Sequence, residues 1–180
     1  NGAGNSLVIS NQGKVFNGTG SVGLFSSSSN NSVLVTGSGS VWSNRSDLYV
    51  GSSGAGNSLV ISNQGAVFND IGYVGFNHSS SNNSVQVTGL GSVWSNRLDL
   101  RVGYYGAGNS MVISNGGAVF SSYGYVGLLS SSSNHSVLVT GSGSIWSNLN
   151  SLSFGEGGAG NSMVISNGGA VRSEEHTSEL

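Results

Sequence analysis

Two aspartates and two arginines are the residues of this chain whose types and spacing best fit a chemical reaction. Asp47 and Asp99 occupy the same place in two copies of a longer pattern, and Arg45 and Arg97 precede them by two positions. Glycoside hydrolysis uses two carboxylates that flank the sugar bond, one as an acid and one as a base or nucleophile. The sequence therefore offers a candidate carbohydrate-active site at Asp47 and Asp99.

The composition excludes several other kinds of functional site. The 180 residues include no cysteine and no proline, charged residues make up 7%, and the net charge is −2. Without cysteine there is no disulfide framework, thiol nucleophile or thiolate metal site. The sequence has no basic cluster for nucleic acid, and no apolar run reaches the roughly 18 residues of a membrane-spanning helix. We therefore expect neither a nucleic-acid partner nor membrane insertion by this segment.

Metal and cofactor sites also lack a supporting pattern. A calcium-binding β-roll repeats Gly-Gly-x-Gly-x-Asp with an aspartate in every turn, and seven acidic residues in the whole chain are too few for that. His78 and His135 lie apart from each other, in segments rich in serine and asparagine. We expect both imidazoles to be solvated turn residues, and we predict no metal and no cofactor.

The chain is built from an internal repeat. The string GAGNS recurs every 52 residues, starting at Gly2, Gly54, Gly106 and Gly158. Each 52-residue unit divides into two related 26-residue halves. In each half an asparagine (His135 in one case) precedes a serine, and a glycine follows eight positions after the asparagine. Repetition at a fixed period in this range is typical of solenoids, in which each unit stacks on its neighbours.

The content of one 26-residue half indicates which solenoid forms. It contains three short stretches of β-branched and aromatic residues, separated by glycine, asparagine and serine, which is strand and turn chemistry. No segment shows the apolar period of a helix. A propeller blade needs four strands and about 40 residues. The predicted fold is therefore all-β, a right-handed parallel β-helix of about seven coils with three short strands in each coil.

A uniform 26-residue step aligns the chain into columns that predict the inward side chains. One aliphatic column contains Ile9, Val35, Ile61, Val87, Ile113, Val139 and Ile165. A second contains Val15, Val41, Val67, Val93, Val119, Ile145 and Val171. We predict that both columns face the core, and that the asparagine columns beginning at Asn5 and Asn11 stack as amide ladders in the turns.

An aromatic column follows directly after the second aliphatic column. It contains Phe16, Trp42, Phe68, Trp94, Phe120 and Trp146. Strict alternation along the strand places these six rings outside, as an apolar stripe able to stack on sugars or on a second copy of the chain. A turn that breaks the alternation places them in the core instead. The inward placement is the expected one, and the exposed stripe is the candidate ligand-binding or self-association face.

The same columns argue against catalysis. A uniform step places Tyr73 between Asp47 and Asp99, which are then about 9.6 Å apart across two coils. That separation is at the outer limit for the two carboxylates of inverting glycosidases. The third copy of the unit has Leu149 and Ser151 at the arginine and aspartate positions. We therefore predict no enzymatic activity, with a carbohydrate-active enzyme as the alternative.

Runs of serine recur at every second coil. They are Ser26–Ser29, Ser79–Ser81 and Ser130–Ser133. Solvated turns are the ordinary interpretation of such runs. A row of hydroxyls on one edge, suited to contact with glycans, is the alternative.

One stretch carries a resemblance to known repeats: SVLVTGSGSVWSNRSDLYVGSSGAGNSLVISNQG, residues 32–65, with partial copies across residues 1–171. It resembles the repeats in the passenger regions of bacterial autotransporters, in the class called type V secretion or PEP-CTERM-associated repeats. The resemblance implies a secreted or surface-displayed β-helical stalk with a structural or adhesive role. It brings no catalytic residues. Glycans, other surface molecules or further copies of the chain are the partners to expect.

The end of the chain departs from the repeat. Position 172 should hold an aromatic residue, as Phe120 does in the preceding copy, but Arg172 occurs and the pattern stops. The peptide RSEEHTSEL, residues 172–180, resembles the translation of a common sequencing adapter. We therefore divide the chain into repeats over residues 1–171, expected to be a fragment uncapped at both ends, and a non-native tail over residues 172–180.

The sequence thus predicts a non-enzymatic structural or adhesive surface protein. Two other functions stay open: a carbohydrate-active β-helix that uses Asp47 and Asp99, and a self-associating fibre module that uses the aromatic column.

Overall fold

A computed structural model describes residues 2–173, and all regular structure in that range is β-strand. The twenty strands form six complete coils of three strands each, followed by two strands of a seventh coil. Strands pair only in parallel, each with its equivalents in the coils before and after it. The predicted all-β solenoid with a 26-residue period is confirmed.

The strands form three sheets, which we call A, B and C in the order in which the chain visits them. Sheet A contains β1 (Ser6–Ile9), β4 (Ser32–Thr36), β7 (Ser58–Ser62), β10 (Ser84–Thr88), β13 (Ser110–Ser114), β16 (Ser136–Thr140) and β19 (Ser162–Ser166). Sheet B contains β2 (Lys14–Asn17), β5 (Val41–Asn44), β8 (Ala66–Asn69), β11 (Val93–Asn96), β14 (Ala118–Ser121), β17 (Ile145–Asn148) and β20 (Ala170–Ser173). Sheet C contains β3 (Gly20–Val22), β6 (Leu48–Val50), β9 (Gly72–Val74), β12 (Asp99–Val102), β15 (Tyr123–Val126) and β18 (Leu152–Phe154).

The register between coils is uniform in sheet A and alternates in the other two sheets. In sheet A each residue pairs with the one 26 positions later, as Leu7 does with Val33. In sheet B the step alternates between 27 and 25, so that Trp42 pairs with Val15 before it and with Val67 after it. In sheet C the step alternates between 28 and 24. The coil length stays constant while its division into strands and turns alternates.

Turn length explains the alternation. The turn from sheet A to sheet B has four residues in coil 2 (37–40) but three in coil 3 (63–65). The shorter turn places two consecutive residues, Asn63 and Gln64, in the left-handed conformation, whereas the longer turn uses two glycines with positive φ, Gly37 and Gly39. Because strand side chains alternate with a period of two, one extra turn residue exchanges the inward and outward positions of the strand that follows.

The core is filled from all three sheets. The predicted column from Ile9 to Ile165 points inward, and its members in coils 1–6 are buried. In sheet B the inward column alternates valine and tryptophan: Val15, Trp42, Val67, Trp94, Val119, Trp146 and Val171. The second predicted column is therefore wrong at Val41, Val93 and Ile145. These residues are half-buried on the outside, because their coils have the longer turn.

Large and small residues interlock between adjacent coils. Each buried tryptophan of an even coil lies against a glycine of sheet C in the coil before it. A Cβ added to Gly72 would lie 2.6 Å from Cζ2 of Trp94, and one added to Gly124 would lie 2.8 Å from Cζ2 of Trp146. The glycine leaves the space that the indole fills, so the 52-residue unit, and not the single coil, is the packing unit.

Two asparagine columns satisfy buried polar groups, and the first of them is the predicted column that begins at Asn5. The ladder predicted from Asn11 is wrong, because glycine occupies that column in every second coil, and Asn63 donates to Thr36 instead. Asn57 donates from its backbone N and its Nδ2 to Oδ1 of Asn83, at 2.8 and 3.0 Å, and Asn83 donates in the same way to Asn109. A second column at the end of sheet B serves the tryptophans, since Nε1 of Trp94 donates to Oδ1 of Asn69 at 2.7 Å. Both columns direct side-chain hydrogen bonds along the axis of the solenoid.

The predicted tail begins inside the last strand. Arg172 lies in β20 and pairs with Ser147. It is exposed, at the outward position that Phe120 holds one unit earlier. The rest of the predicted tail, residues 174–180, lies outside the described residues.

Candidate functional surfaces

The two candidate catalytic aspartates are held by their own neighbours. Oδ2 of Asp47 accepts from the hydroxyl of Tyr49 at 3.1 Å, and its Oδ1 accepts from the backbone N of Ile71 at 3.3 Å. Oδ2 of Asp99 accepts from Nη2 of Arg101 at 2.6 Å. Each carboxylate therefore has a structural partner at its own level of the stack.

Asp47 and Asp99 occupy equivalent positions two coils apart, as predicted, but the residue predicted to lie between them is wrong. Tyr73 does not lie between Asp47 and Asp99, because the step in sheet C alternates between 28 and 24 and is never 26. Tyr73 pairs instead with Tyr49 in the coil before it and with Arg101 in the coil after it.

The two candidate arginines do not converge on the aspartates. Arg97 is exposed and donates to both carboxylate oxygens of Asp70, from Nε to Oδ1 at 2.7 Å and from Nη2 to Oδ2 at 2.9 Å. This contact holds the pKa of Asp70 below its ordinary value. Arg45 is also exposed, on the side of sheet B, where it lines a groove with Phe16 and Ser43.

The structure brings a different set of residues together on the outer face of sheet C. Successive coils place Tyr49, Tyr73, Arg101 and Tyr125 in one outward column. The rings of Tyr49 and Tyr73 stack with centroids 4.9 Å apart and an angle of 2° between their planes. Cζ of Arg101 lies 5.3 Å from the ring centre of Tyr73 and 5.8 Å from that of Tyr125. The column therefore consists, in order, of two phenol rings, the guanidinium and a third phenol ring. The guanidinium makes cation–π contacts with the rings on both sides of it.

A second aromatic row lies beside this column, in the turns that follow sheet C. Phe76 and Tyr104 stack with centroids 5.3 Å apart, and both meet Tyr73 edge-on. Tyr105 packs against Tyr104 and against His78. We call the whole set the tyrosine patch: Tyr49, Tyr73, Phe76, Arg101, Tyr104, Tyr105, Tyr123 and Tyr125, with Asp47 and Asp99.

Burial and neighbouring groups set the charge state of the tyrosine patch. Burial, and then the nearby carboxylate of Asp47, raise the pKa of Tyr49 to about 12. Burial also raises the pKa of Tyr73 and of Tyr125. Burial opposes the charge of Arg101, but the hydrogen bond to Asp99 and the surrounding phenols together outweigh it and raise the pKa of the guanidinium. At neutral pH the patch therefore presents neutral phenols around a fixed ion pair.

Sequence reasoning missed the tyrosine patch, although the sequence contains a sign of it. All six tyrosines of the chain lie between positions 49 and 125, and all six belong to the patch. A uniform 26-residue step assigns Tyr49 to a different column from Tyr73 and Tyr125, so the sequence columns did not group these tyrosines. The confinement of all six tyrosines to this part of the chain would have indicated the region even without knowledge of the strand register.

The aromatic column of the sequence analysis divides into two sets. Trp42, Trp94 and Trp146 are buried, as expected, with at most 4% exposed. Phe16, Phe68 and Phe120 are not buried, with 70%, 42% and 41% exposed, so the inward prediction is wrong for them. The longer turn of the even coils moves each tryptophan to the inward position that valine holds in the odd coils.

The exposed phenylalanines form a regular surface on the outer face of sheet B. They pair in register with small residues of the even coils, Phe16 with Ser43 and Phe120 with Ser147. We call this alternating column the phenylalanine stripe: Phe16, Ser43, Phe68, Ser95, Phe120 and Ser147.

The serine runs are only partly solvated. Ser28, Ser80 and Ser132, one in each run, are buried. The hydroxyl of Ser80 donates to the backbone oxygen of Ser52 at 2.7 Å. The runs therefore close the turns from sheet C to sheet A and do not form an open row of hydroxyls.

His135 is a member of the buried asparagine ladder, so its predicted solvated position is wrong. It is 1% exposed. Its Nδ1 accepts from the backbone N of Asn109 at 3.0 Å, and its Nε2 lies 2.9 Å from the hydroxyl of Ser132. Each ladder asparagine from Asn31 to Asn109 accepts two hydrogen bonds at Oδ1, whereas Nδ1 of His135 accepts only the one from the backbone N of Asn109. Nδ2 of Asn109 is therefore buried without a partner. His78 is exposed, as predicted.

Replacing His135 by asparagine is expected to stabilise the protein by about 1 kcal/mol at neutral pH, because the side-chain ladder to Asn109 is restored. Burial lowers the pKa of His135, so the unfolded chain binds a proton first as pH falls below about 6.5 and the parent protein loses stability there. The gain in melting temperature should therefore be larger at about pH 5 than at about pH 7.5.

Circular-dichroism melting of the parent and of His135→Asn at both pH values measures this effect. His78→Asn is the matched control, since that imidazole is exposed. A variant that melts lower than the parent at both pH values would contradict the ladder argument.

Within residues 2–173, no group of three or more histidine, cysteine, aspartate or glutamate side chains is arranged to hold a metal ion. The same residues contain no helix that is long and apolar enough to cross a membrane. Comparisons of the chain with protein-family models, with curated proteins and with solved structures find no match.

Proposed function

We propose that this chain is a segment of a structural and adhesive β-solenoid that is secreted or displayed at a bacterial cell surface. The observation that supports this role best is the way the coils bond to one another. Asparagine side chains bond along the axis, from Asn5 to Asn31 and onward to Asn109. Such a stack bonds each coil to the coils above and below it, which suits a stiff spacer that lengthens by adding 52-residue units. The resemblance of the repeats to autotransporter passengers supports the location.

A non-enzymatic role is favoured over glycoside hydrolysis. A glycosidase needs one carboxyl group placed to protonate the leaving oxygen and another placed to activate water or attack the sugar. Asp47 and Asp99 are engaged instead with Tyr49 and Arg101. Each carboxylate supports the ring and guanidinium column of the tyrosine patch, so we assign both a structural role.

The tyrosine patch is the surface that we propose for adhesion, with glycans as the ligand. Phenol hydroxyls, carboxylates and a guanidinium offer both donors and acceptors to sugar hydroxyls. Tyr123 is 40% exposed, and with the half-buried Tyr125 beside it offers apolar ring surface to a sugar. The remaining rings and the Arg101–Asp99 ion pair hold these groups rigidly, which lowers the entropy cost of binding.

A glycan array probed with the labelled protein tests this proposal. We expect binding to a subset of the immobilised oligosaccharides, weakened roughly tenfold when Tyr123 and Tyr125 are both replaced by serine, as for the loss of two ring contacts. Phe16→Ser is the matched control, because Phe16 is 70% exposed and lies on sheet B, whereas the patch lies on sheet C and the turns after it.

Two outcomes would overturn the proposal. One is array binding that the tyrosine variant does not change. The other is the release of sugar products from an oligosaccharide, abolished by Asp47→Asn or Asp99→Asn with the melting temperature unchanged, which would establish the enzyme instead.

A further inference from the structure

We infer that the outer face of sheet B binds a second copy of this chain, with the coil order of the two copies reversed, so that the two phenylalanine stripes interlock. This association uses a different face from the tyrosine patch, so that it stands or fails independently of glycan binding.

The shape of the stripe is the first argument. Large exposed rings in coils 1, 3 and 5 alternate with serines in coils 2, 4 and 6. From coil 1 to coil 6 the stripe alternates ring and serine and begins with a ring. In the reverse direction it begins with a serine, so rings and serines exchange places. A two-fold axis parallel to the strands, passing between coils 3 and 4, therefore sets every ring of one copy against a serine of the other. Phe16 meets Ser147 of the second copy, Phe68 meets its Ser95, and Phe120 meets its Ser43. Such an interface is closed and uses the same surface on both copies.

An open groove marks one of the expected contacts. A volume of about 430 Å³ lies over Ser43 and is lined by Phe16, Asn17, Gly18 and Arg45. It is the space left beside a projecting ring where the next coil has only a serine. In the reversed arrangement the ring of Phe120 from the second copy enters this groove, where apolar ring surface and the Arg45 guanidinium surround it.

Charge favours the reversed arrangement over the parallel one. The other outward column of sheet B has Lys14 in coil 1 and is uncharged from Val41 in coil 2 to Ala170 in coil 7. Arg172 follows in coil 7. With parallel coils, a two-fold axis along the stripe sets ring against ring and Arg172 against Arg172. With the coils reversed, Lys14 faces Ile145, and neither cation meets its equivalent.

The size of the face predicts a weak complex. Six coils at about 4.8 Å and four residues at about 3.3 Å give roughly 400 Å² on each copy, below the size of a standard stable interface. Exposed Leu98 and Leu149, in the turns that follow sheet B, widen it. We expect monomers at a few micromolar and dimers at roughly hundreds of micromolar for a chain of this length.

Sedimentation velocity over that concentration range tests the association with two opposite changes. Phe68→Ser with Phe120→Ser removes two rings and should abolish the dimer. Ser95→Phe adds an exposed ring but fills the space that receives Phe68, and it too should abolish the dimer. All of these positions point outward, so melting curves should stay close to that of the parent. Stronger association of Ser95→Phe would show non-specific apolar contact and overturn the inference, as would a dimer that survives loss of the rings.

Disulfide formation tests the direction of pairing, because the chain has no cysteine of its own. A mixture of Phe16→Cys and Ser147→Cys chains should cross-link on mild oxidation, since coil 1 faces coil 6. A mixture of Phe16→Cys and Ser43→Cys should not, since their coils are then about four intervals, roughly 19 Å, apart. The opposite pattern would establish parallel copies and overturn the interlocking arrangement.

Discussion

Replacing Trp94 by alanine is expected to lower the free energy of unfolding by about 3–5 kcal/mol, the usual cost of removing a large buried aromatic side chain. The indole is fully buried. The indole packs against Gly72, where the absence of a side chain leaves room for the ring. Nε1 of Trp94 donates to Oδ1 of Asn69. Alanine leaves a cavity between two coils and removes the donor that satisfies Asn69. Urea unfolding followed by circular dichroism at the strand band measures the loss.

Phe68→Ala is the matched control for this substitution. It removes an aromatic residue of the same sequence column, one coil earlier, but one whose ring is 42% exposed. The cost should stay near the range of surface substitutions, about 0.5 kcal/mol. Similar losses for the two variants would contradict the division of the column into buried tryptophans and exposed phenylalanines.

Replacing Asn83 by alanine is expected to cost about 2–4 kcal/mol, because it leaves buried donors without an acceptor. Oδ1 of Asn83 accepts from the backbone N and from Nδ2 of Asn57, and its own amide groups donate to Oδ1 of Asn109. Alanine breaks both links of the ladder in the middle of the stack. Urea unfolding measures the total loss, and hydrogen exchange should show faster exchange at the backbone amide of Asn57.

Gln86→Ala is the control for the ladder variant. Gln86 lies on β10, which begins directly after Asn83, but it points outward and is exposed. We therefore expect a change of about 0.5 kcal/mol or less. An Asn83 variant no less stable than the Gln86 variant would show that the ladder adds nothing to stability.

Much of the fold could be predicted from the recurrence of a few residue types. The spacing of asparagine and glycine specified the 26-residue coil, and the aliphatic column from Ile9 to Ile165 specified the inward face of sheet A. Both are local patterns that a constant step preserves, since every strand of sheet A pairs at an offset of 26.

The candidate surfaces were harder to predict, because they depend on offsets that are not 26. The phenylalanines and tryptophans share one sequence column, yet they point in opposite directions. Asp47 and Tyr73 share another, yet Tyr73 belongs beside Tyr49. His135 was misplaced for a different reason. A histidine among serines and asparagines has the composition of a solvated turn, and only the stack shows that it fills a ladder position.

By itself the sequence determined the period, the all-β class and the inward column of sheet A, because strand propensity, turn residues and repetition act locally. The tertiary structure decided the registers of sheets B and C, and with them the buried tryptophans, the phenylalanine stripe and the tyrosine patch. The physical reason is turn length. One residue more in the turn before sheet B reverses the faces of that strand, and the two-residue offset in sheet C changes which residues pair without changing their faces. Where a turn ends is set by pairing with the coils above and below, which no single coil contains.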